Sequence, residues 1–152
     1  MWFSRKQVAI LPPDGVKTLS GQVTTKSKGD AAELAALAFL LKAGLTLIEK
    51  NYNTPGRGGG EIDLVMRGVD GTLVFVEVRL RSSTAYGGAA ASISAVKQQR
   101  IVFAARHYLM RFASLPPCRF DVVLVSNPAP QVLSGKTSGL QIEWLPAAFD
   151  AS

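Results

Sequence analysis

Residues 60–81 constrain the fold more than any other stretch. They run Gly-Glu-Ile-Asp-Leu-Val-Met-Arg, turn at Val69-Asp70-Gly71, and continue Leu73-Val-Phe-Val-Glu-Val-Arg-Leu-Arg81. Two alternating or β-branched runs joined by a short turn containing glycine predict an antiparallel hairpin. The length of the turn decides where the acids go. A loop of residues 69–71, with Gly71 supplying the positive φ, sets Gly68 opposite Thr72 and Asp63 opposite Glu77. A two-residue Asp70-Gly71 turn would slip the register by one and put the two acids on opposite faces. The longer loop is expected, because it also aligns Ile62, Leu64 and Met66 with Val74, Val76 and Val78 on one apolar face. Glu61, Asp63, Glu77 and Arg79 then share the other.

Opposed like charges weaken a sheet pair by some tenths of a kcal/mol, up to about 1. Carboxylates facing each other therefore ask for a cation between them. Oxygen ligands of this kind suit Mg²⁺ or Mn²⁺, which keep several waters and are completed by a substrate phosphate.

Gly60-Glu61-Ile62-Asp63-Leu64 followed by Val74-Phe75-Val76-Glu77-Val78-Arg79 resembles the YraN family. These are small bacterial proteins of the PD-(D/E)XK nuclease superfamily, related to archaeal-type Holliday-junction resolvases. Gly29-Asp30-Ala31-Ala32-Glu33, Tyr86-Gly87-Gly88-Ala89-Ala90-Ala91, Lys97 and Cys118-Arg119-Phe120-Asp121-Val122-Val123 fall in the family's order and spacing, so the resemblance covers residues 24–149. It implies an α/β fold, a restriction-endonuclease-like mixed sheet flanked by helices. It also implies a metal-dependent DNA endonuclease acting on branched or structured DNA, with Asp63 and Glu77 as metal ligands and Glu33 as a further acid from the first helix. The superfamily's third motif residue is a lysine, and Arg79 stands there in this chain. A lysine can lose a proton when buried, whereas a guanidinium only donates, so Arg79 can hold phosphate but cannot act as a base. Lys97, just after the loop that follows the hairpin, is the candidate to supply the missing lysine.

A chain of 152 residues suits one domain with a sizeable core. Residues 1–26 read as a basic, disordered arm and residues 27–152 as the single nuclease-like domain. A net charge of +6 favours polyanionic partners, and the resemblance implies that the partner is nucleic acid, specifically DNA. The lone cysteine, Cys118, excludes an internal disulfide, fits a reducing cytoplasm and is expected to be a small buried residue at the start of a strand. No run is long and apolar enough for a membrane span or a signal peptide, so a membrane partner is not expected.

The first helix is expected over residues 28–43 with Gly44 as its stop. Leu34, Leu37 and Leu41 would form its core stripe, and Ala31, Ala35 and Ala38 would leave room for close packing elsewhere. Glu33 can complement the helix dipole or lean over the acid pair. A short strand over residues 45–51 leads to the glycine-rich segment 53–60, which lacks the Lys-Ser/Thr ending of a P-loop and reads as a connection to the hairpin, with Arg57 either reaching substrate or solvated. Arg81 ends the hairpin as a further backbone-contact candidate. In loop 82–91, Tyr86 could stack on an unpaired base or pack on the sheet.

A helix over residues 94–112 would bury Ile101, Ala105, Tyr108, Leu109 and Phe112. Lys97, Arg100, His107 and Arg111 would share a neighbouring arc that either tracks a phosphate backbone or is simply solvated. His107 has no ligand companions and reads as a surface or packing histidine. Phe103 and Met110 fall off the apolar face, where they would mark a second packing layer or a dimer contact. A strand over residues 119–126, a polar loop, a last strand over residues 140–145 and a terminal turn or helix over residues 146–149 complete the chain. Asp121 reads first as a structural salt bridge, and Trp144 and Phe149 close the core.

Three functions follow in order. The first is a DNA endonuclease using Mg²⁺ or Mn²⁺, for which paired strand cutting makes a homodimer attractive. The second is a nucleic-acid-binding module that keeps the fold without catalysis. The third is an interaction subunit whose basic face docks an acidic protein.

Overall fold

The computed structural model describes residues 25–81, 93–126 and 139–151. Helix α1 (Thr25–Lys42) is followed by β1 (Thr46–Asn53), β2 (Glu61–Arg67) and β3 (Leu73–Arg81), then α2 (Ala95–Leu109), β4 (Cys118–Ser126) and β5 (Gln141–Phe149). The five strands form one sheet in sequence order. Every neighbouring pair is antiparallel except β3 with β4, which α2 joins as a crossover. This is the expected α/β plan, a mixed sheet with a helix on each face, in keeping with a restriction-endonuclease-like fold. Among the described residues, no helix is long and apolar enough to cross a membrane.

The hairpin has the register the longer loop demands. Leu64 pairs with Val76 and Met66 with Val74. The Gly68 N–H donates to the Thr72 carbonyl at 2.8 Å, and Gly71 takes the left-handed conformation at φ 86°. Asp70 completes the loop by accepting the Thr72 N–H at 3.0 Å.

α1 starts at Thr25, a little before the expected position, and ends as read. Gly44 turns left-handed at φ 104°, the Leu45 N–H reaches the Leu40 carbonyl and the Gly44 N–H reaches that of Leu41. Those two bonds make a Schellman cap. Of the expected stripe only Leu37 packs against the core, at its edge. Ala32, Ala36 and Leu40 face the sheet, while Leu34 and Leu41 are 57% and 47% exposed. A helix rich in alanine and leucine is apolar nearly all round, and the side chosen is the one whose small residues let the axis lie close to β3 and β4.

Two cores result. On the α1 face, Leu64, Met66, Val74, Val76, Val123 and Val125 pack with Ala32, Ala36 and Leu40. On the α2 face, Val65, Leu73, Phe75 and Phe120 pack with Ile101, Ala104, Ala105 and Tyr108. Ile62, expected beside Leu64, joins this second cluster with its strand partner Tyr52. The alternation breaks next to Asn51, whose left-handed φ of 52° turns edge strand β1. An aromatic row ties the second core together: Tyr52 meets Tyr108 edge-on at 5.2 Å, Tyr108 meets Phe75 at 5.8 Å, and Phe75, Phe120 and Phe149 stack at 5.5 and 5.0 Å.

β5 runs on through Pro146 to Phe149, where a turn or helix was expected. An edge strand needs no N–H on its open side, which is why proline fits there. Fully buried Asp121 holds this strand, accepting from Arg119 Nε at 3.0 Å, Trp144 Nε1 at 2.9 Å and the Ala147 N–H at 2.9 Å. Its role is structural. Trp144 packs against the first core and Phe149 against the second, as expected. Cys118 is exposed rather than buried, because it opens β4 at the rim of the sheet.

Candidate active site

The last backbone pair of the hairpin ladder is Leu64 with Val76. One step beyond it, Asp63 Oδ2 accepts the N–H of Val78 at 2.8 Å, so the side chain stands where the two strands stop pairing. Glu77 lies beside it with only 4% of its surface exposed. Its Oε1 is 3.5 Å from Lys97 Nζ, and among the described residues its buried Oε2 has no hydrogen-bond partner.

Lys97 is brought there by the start of α2. Ser94 caps the helix by accepting the Lys97 N–H at 3.1 Å, which fixes the first turn from which Lys97 reaches Glu77. The ammonium is about one-third exposed while the carboxylate is almost dry. Arg79, two residues along β3, contributes a weaker attraction to Glu77.

Burial, and then the charge of Asp63, pushes the pKa of Glu77 up to about 8, against the pull of Lys97 and Arg79. The pKa of Asp63 is also raised, by burial first and the charge of Glu61 next, with the Val78 N–H opposing both. Two ionised carboxylates offer each other only lone pairs. A single proton held between them turns the contact into a hydrogen bond, and the upward shift of both groups favours that singly protonated form.

Glu33 approaches from α1. Its pKa is raised by partial burial and then by the charges of Asp63, Glu61 and Asp30. It couples to Asp63 of the pair, but among the described residues no three His, Cys, Asp or Glu side chains gather as a ready metal cage. The three-acid ligand set expected from the resemblance is therefore not assembled. The donor set that exists still fits a hard divalent cation. Asp63 and Glu77 offer oxygens only, and the orphaned Oε2 is a buried acceptor in want of a positive partner.

The remaining candidates are scattered around this centre. Arg57 is exposed on the loop leading into β2, and the backbone carbonyl of Arg100 lies against Gly60 at the base of that loop. Arg111 is committed to the fold, 3.7 Å from Glu49 and with its guanidinium 3.7 Å from the centre of the Tyr108 ring. His107 is a packing histidine, its Nδ1 hydrogen-bonded to the Tyr52 hydroxyl. Arg81 lines a hollow of about 300 Å³ with Gln141 and Glu143. Tyr86 lies outside the described residues.

Two features have little signature in sequence. The Tyr52–His107 contact joins residues far apart in the chain, and nothing local announces it. Thr54 is buried and closes the loop that carries Arg57. Its only signal is a hydroxyl residue at the start of a glycine-rich turn.

The sequence model described as "Uncharacterised protein family UPF0102" matches residues 32–125, which include α1 from Ala32, the hairpin, α2 and nearly all of β4. The chain is similar to a UPF0102 protein of a Polaromonas species, 70% identical across the whole of both chains. It is 69% identical to a UPF0102 protein of Polaromonas naphthalenivorans, again over both full lengths. A UPF0102 protein of Paracidovorax citrulli is 62% identical over 86% of this chain and 87% of its own.

Proposed function

We propose, for a chain that belongs to the UPF0102 family, that the site is the centre of a metal-dependent DNA endonuclease of the PD-(D/E)XK type. One observation carries the reading: a buried acid pair at the fork of two strands, with one Glu77 oxygen unpartnered among the described residues and a lysine facing the other. Burying such a pair costs several kcal/mol per uncompensated charge on the general scale for ions. A fold stabilised for its own sake would place valines there.

Asp63 and Glu77 would hold Mg²⁺ or Mn²⁺, which supplies Lewis-acid polarisation of a phosphoryl oxygen and a lowered pKa for a water. The Val78 N–H orients Asp63, leaving its second oxygen available. Lys97 balances the charge of Glu77 and stands where it can orient a water or the scissile phosphate. Arg79 is a phosphate holder on the same side of β3. Glu33, held towards its protonated form by burial and its acidic neighbours, is placed to accept or return a proton at the rim.

The basic net charge supports a DNA partner, and the single, exposed cysteine suits a reducing cytoplasm. Cutting both strands of a branched substrate would call for a second copy. The second reading, a nucleic-acid-binding module without turnover, is favoured by Arg79 standing at the superfamily's lysine position. The test is incubation of the purified protein with linear, single-stranded and four-way-junction DNA, with Mg²⁺ or Mn²⁺ and with chelator. Cleavage that needs the metal and disappears in Asp63→Asn is expected; binding without cleavage in every arm would favour the second reading.

A further inference from the structure

We propose that loop 54–60 is a preformed phosphate clamp that presents Arg57 to a nucleic-acid backbone beside the acid pair, with Thr54 as the residue that positions it. The inference rests on the reading that the chain binds nucleic acid and adds how one contact is built.

The loop is closed at its base by a single residue pair. The Thr54 N–H donates to the Gly60 carbonyl at 3.1 Å, the Thr54 hydroxyl donates to the same carbonyl at 3.3 Å, and the Gly60 N–H donates back to Thr54 Oγ1 at 2.8 Å. Thr54 is 8% exposed, so the closure is shielded from water. The base is also wedged. A Cβ at Gly59 would lie 1.9 Å from Thr54 Oγ1, and one at Gly60 would lie 2.0 Å from the backbone carbonyl oxygen of Arg100 on α2. Neither position has space for a side chain.

Above this base the chain is Pro55-Gly56-Arg57-Gly58-Gly59. Gly56 and Gly58 are both left-handed, at φ 88° and 76°, so Arg57 sits between two backbone positions that L side chains rarely adopt. It is the only residue of the five with a polar side chain, and it is exposed. Among the described residues no carboxylate forms a salt bridge with it. A turn needs the glycines but has no use for the arginine.

Position supplies the ligand class. Gly60 leads straight into β2, whose first and third residues are Glu61 and Asp63. The loop therefore rises at the start of the strand that carries Asp63, one member of the acid pair. A guanidinium recognises phosphate by paired N–H donors. Holding its backbone in advance removes part of the ordering cost of binding. A phosphodiester flanking the site and free phosphate share this chemistry, and the experiment separates them.

Binding of the full chain to fluorescent duplex and four-way-junction DNA is measured by anisotropy across a salt series, with chelator present so that nothing is cut. Arg57→Ala should weaken binding about tenfold and lower the salt slope by about one counterion. Thr54→Val, which keeps the shape and loses the hydroxyl, should weaken binding about threefold although Arg57 is intact. Thr54→Ser should bind as the wild type does, and Arg57→Ala with Thr54→Val should bind no worse than Arg57→Ala alone. Unchanged thermal melts show that these variants fold. An Arg57→Ala protein with wild-type affinity and slope overturns the clamp while leaving the nuclease reading in place. A Thr54→Val protein with wild-type affinity overturns the positioning role. If the wild type binds no DNA, the functional reading fails, and NMR titration with inorganic phosphate decides the clamp. A saturable shift of the Arg57 side-chain N–H that Thr54→Val abolishes supports a free-phosphate site; no shift overturns it.

Discussion

Glu77 shows what a single residue does to the molecule. Its pKa in the fold is about 8, against an ordinary value of 4.5, and burial followed by Asp63 is the cause. The shift is upward, so between those pH values the folded chain keeps a proton that the unfolded chain has released. Stability therefore falls as pH rises from about 4.5 towards 8. Asp63 and Lys97 share in this titration, so the whole shift does not belong to Glu77, and the expected loss is about 1 to 3 kcal/mol. Glu77→Gln should be more stable than the wild type at pH 8 by that amount, with the difference vanishing near pH 4.5. Urea unfolding at a series of pH values checks this, and parallel curves for the two proteins would mean the carboxylate is not desolvated.

The same residue predicts the response to divalent ions. A cation must displace the proton that the pair holds, so its binding strengthens as pH rises. Mg²⁺ or Mn²⁺ should raise the melting temperature more at pH 8 than at pH 5.5, and Asp63→Asn should abolish the rise. A melting temperature indifferent to both ions at both pH values would remove the site from consideration.

At the scale of elements, α1 gives a direct contrast between pattern and packing. Leu40→Ala should cost about 2 to 5 kcal/mol because Leu40 is wholly buried against the sheet. Leu34→Ala and Leu41→Ala should each stay within about 0.5 kcal/mol, since much of each side chain is already in water. Denaturant melts of the three variants decide the order. The hairpin was legible because a period of two and an odd loop allow only one register that buries an apolar face. The buried face of α1 was not, because its apolar residues go nearly all the way round and close approach selected alanine over leucine. Ile62 changed sides where β2 has left its ladder with β3, beyond the Leu64–Val76 pair and next to the left-handed Asn51 of β1. β5 outran its expected end because proline breaks a helix or a central strand but not an edge.

The site divides in the same way. The adjacency of Asp63 and Glu77 follows from register, which sequence carries. The approach of Lys97 depends on how the crossover helix lands, and the closure by Thr54 depends on seven residues folding back on themselves; both are tertiary facts.

For the molecule as a whole, the question is whether two cations can replace one. On the proposed PD-(D/E)XK reading, a lysine would follow the second acid by two residues on the same strand, whereas this chain puts Arg79 there and brings Lys97 to Glu77 from α2 at 3.5 Å. If Lys97 serves in place of that lysine, the wild type cuts DNA, Lys97→Met cuts at least about a hundredfold more slowly, and Arg79→Lys keeps activity, on the scale typical of a group that moves or orients a proton. A crossover helix can supply this group because its first turn is fixed by the Ser94 cap and reaches Glu77 from outside the strand, so the ammonium is held by the fold rather than by its own strand. If the site is dead, the wild type binds without cutting and Arg79→Lys restores cleavage. Cleavage rates of the three proteins on one four-way junction, with Mg²⁺ in excess, separate the cases. Activity is expected in the wild type, since the acid pair retains the cost of its burial and Lys97 already occupies the position from which a lysine reaches Glu77.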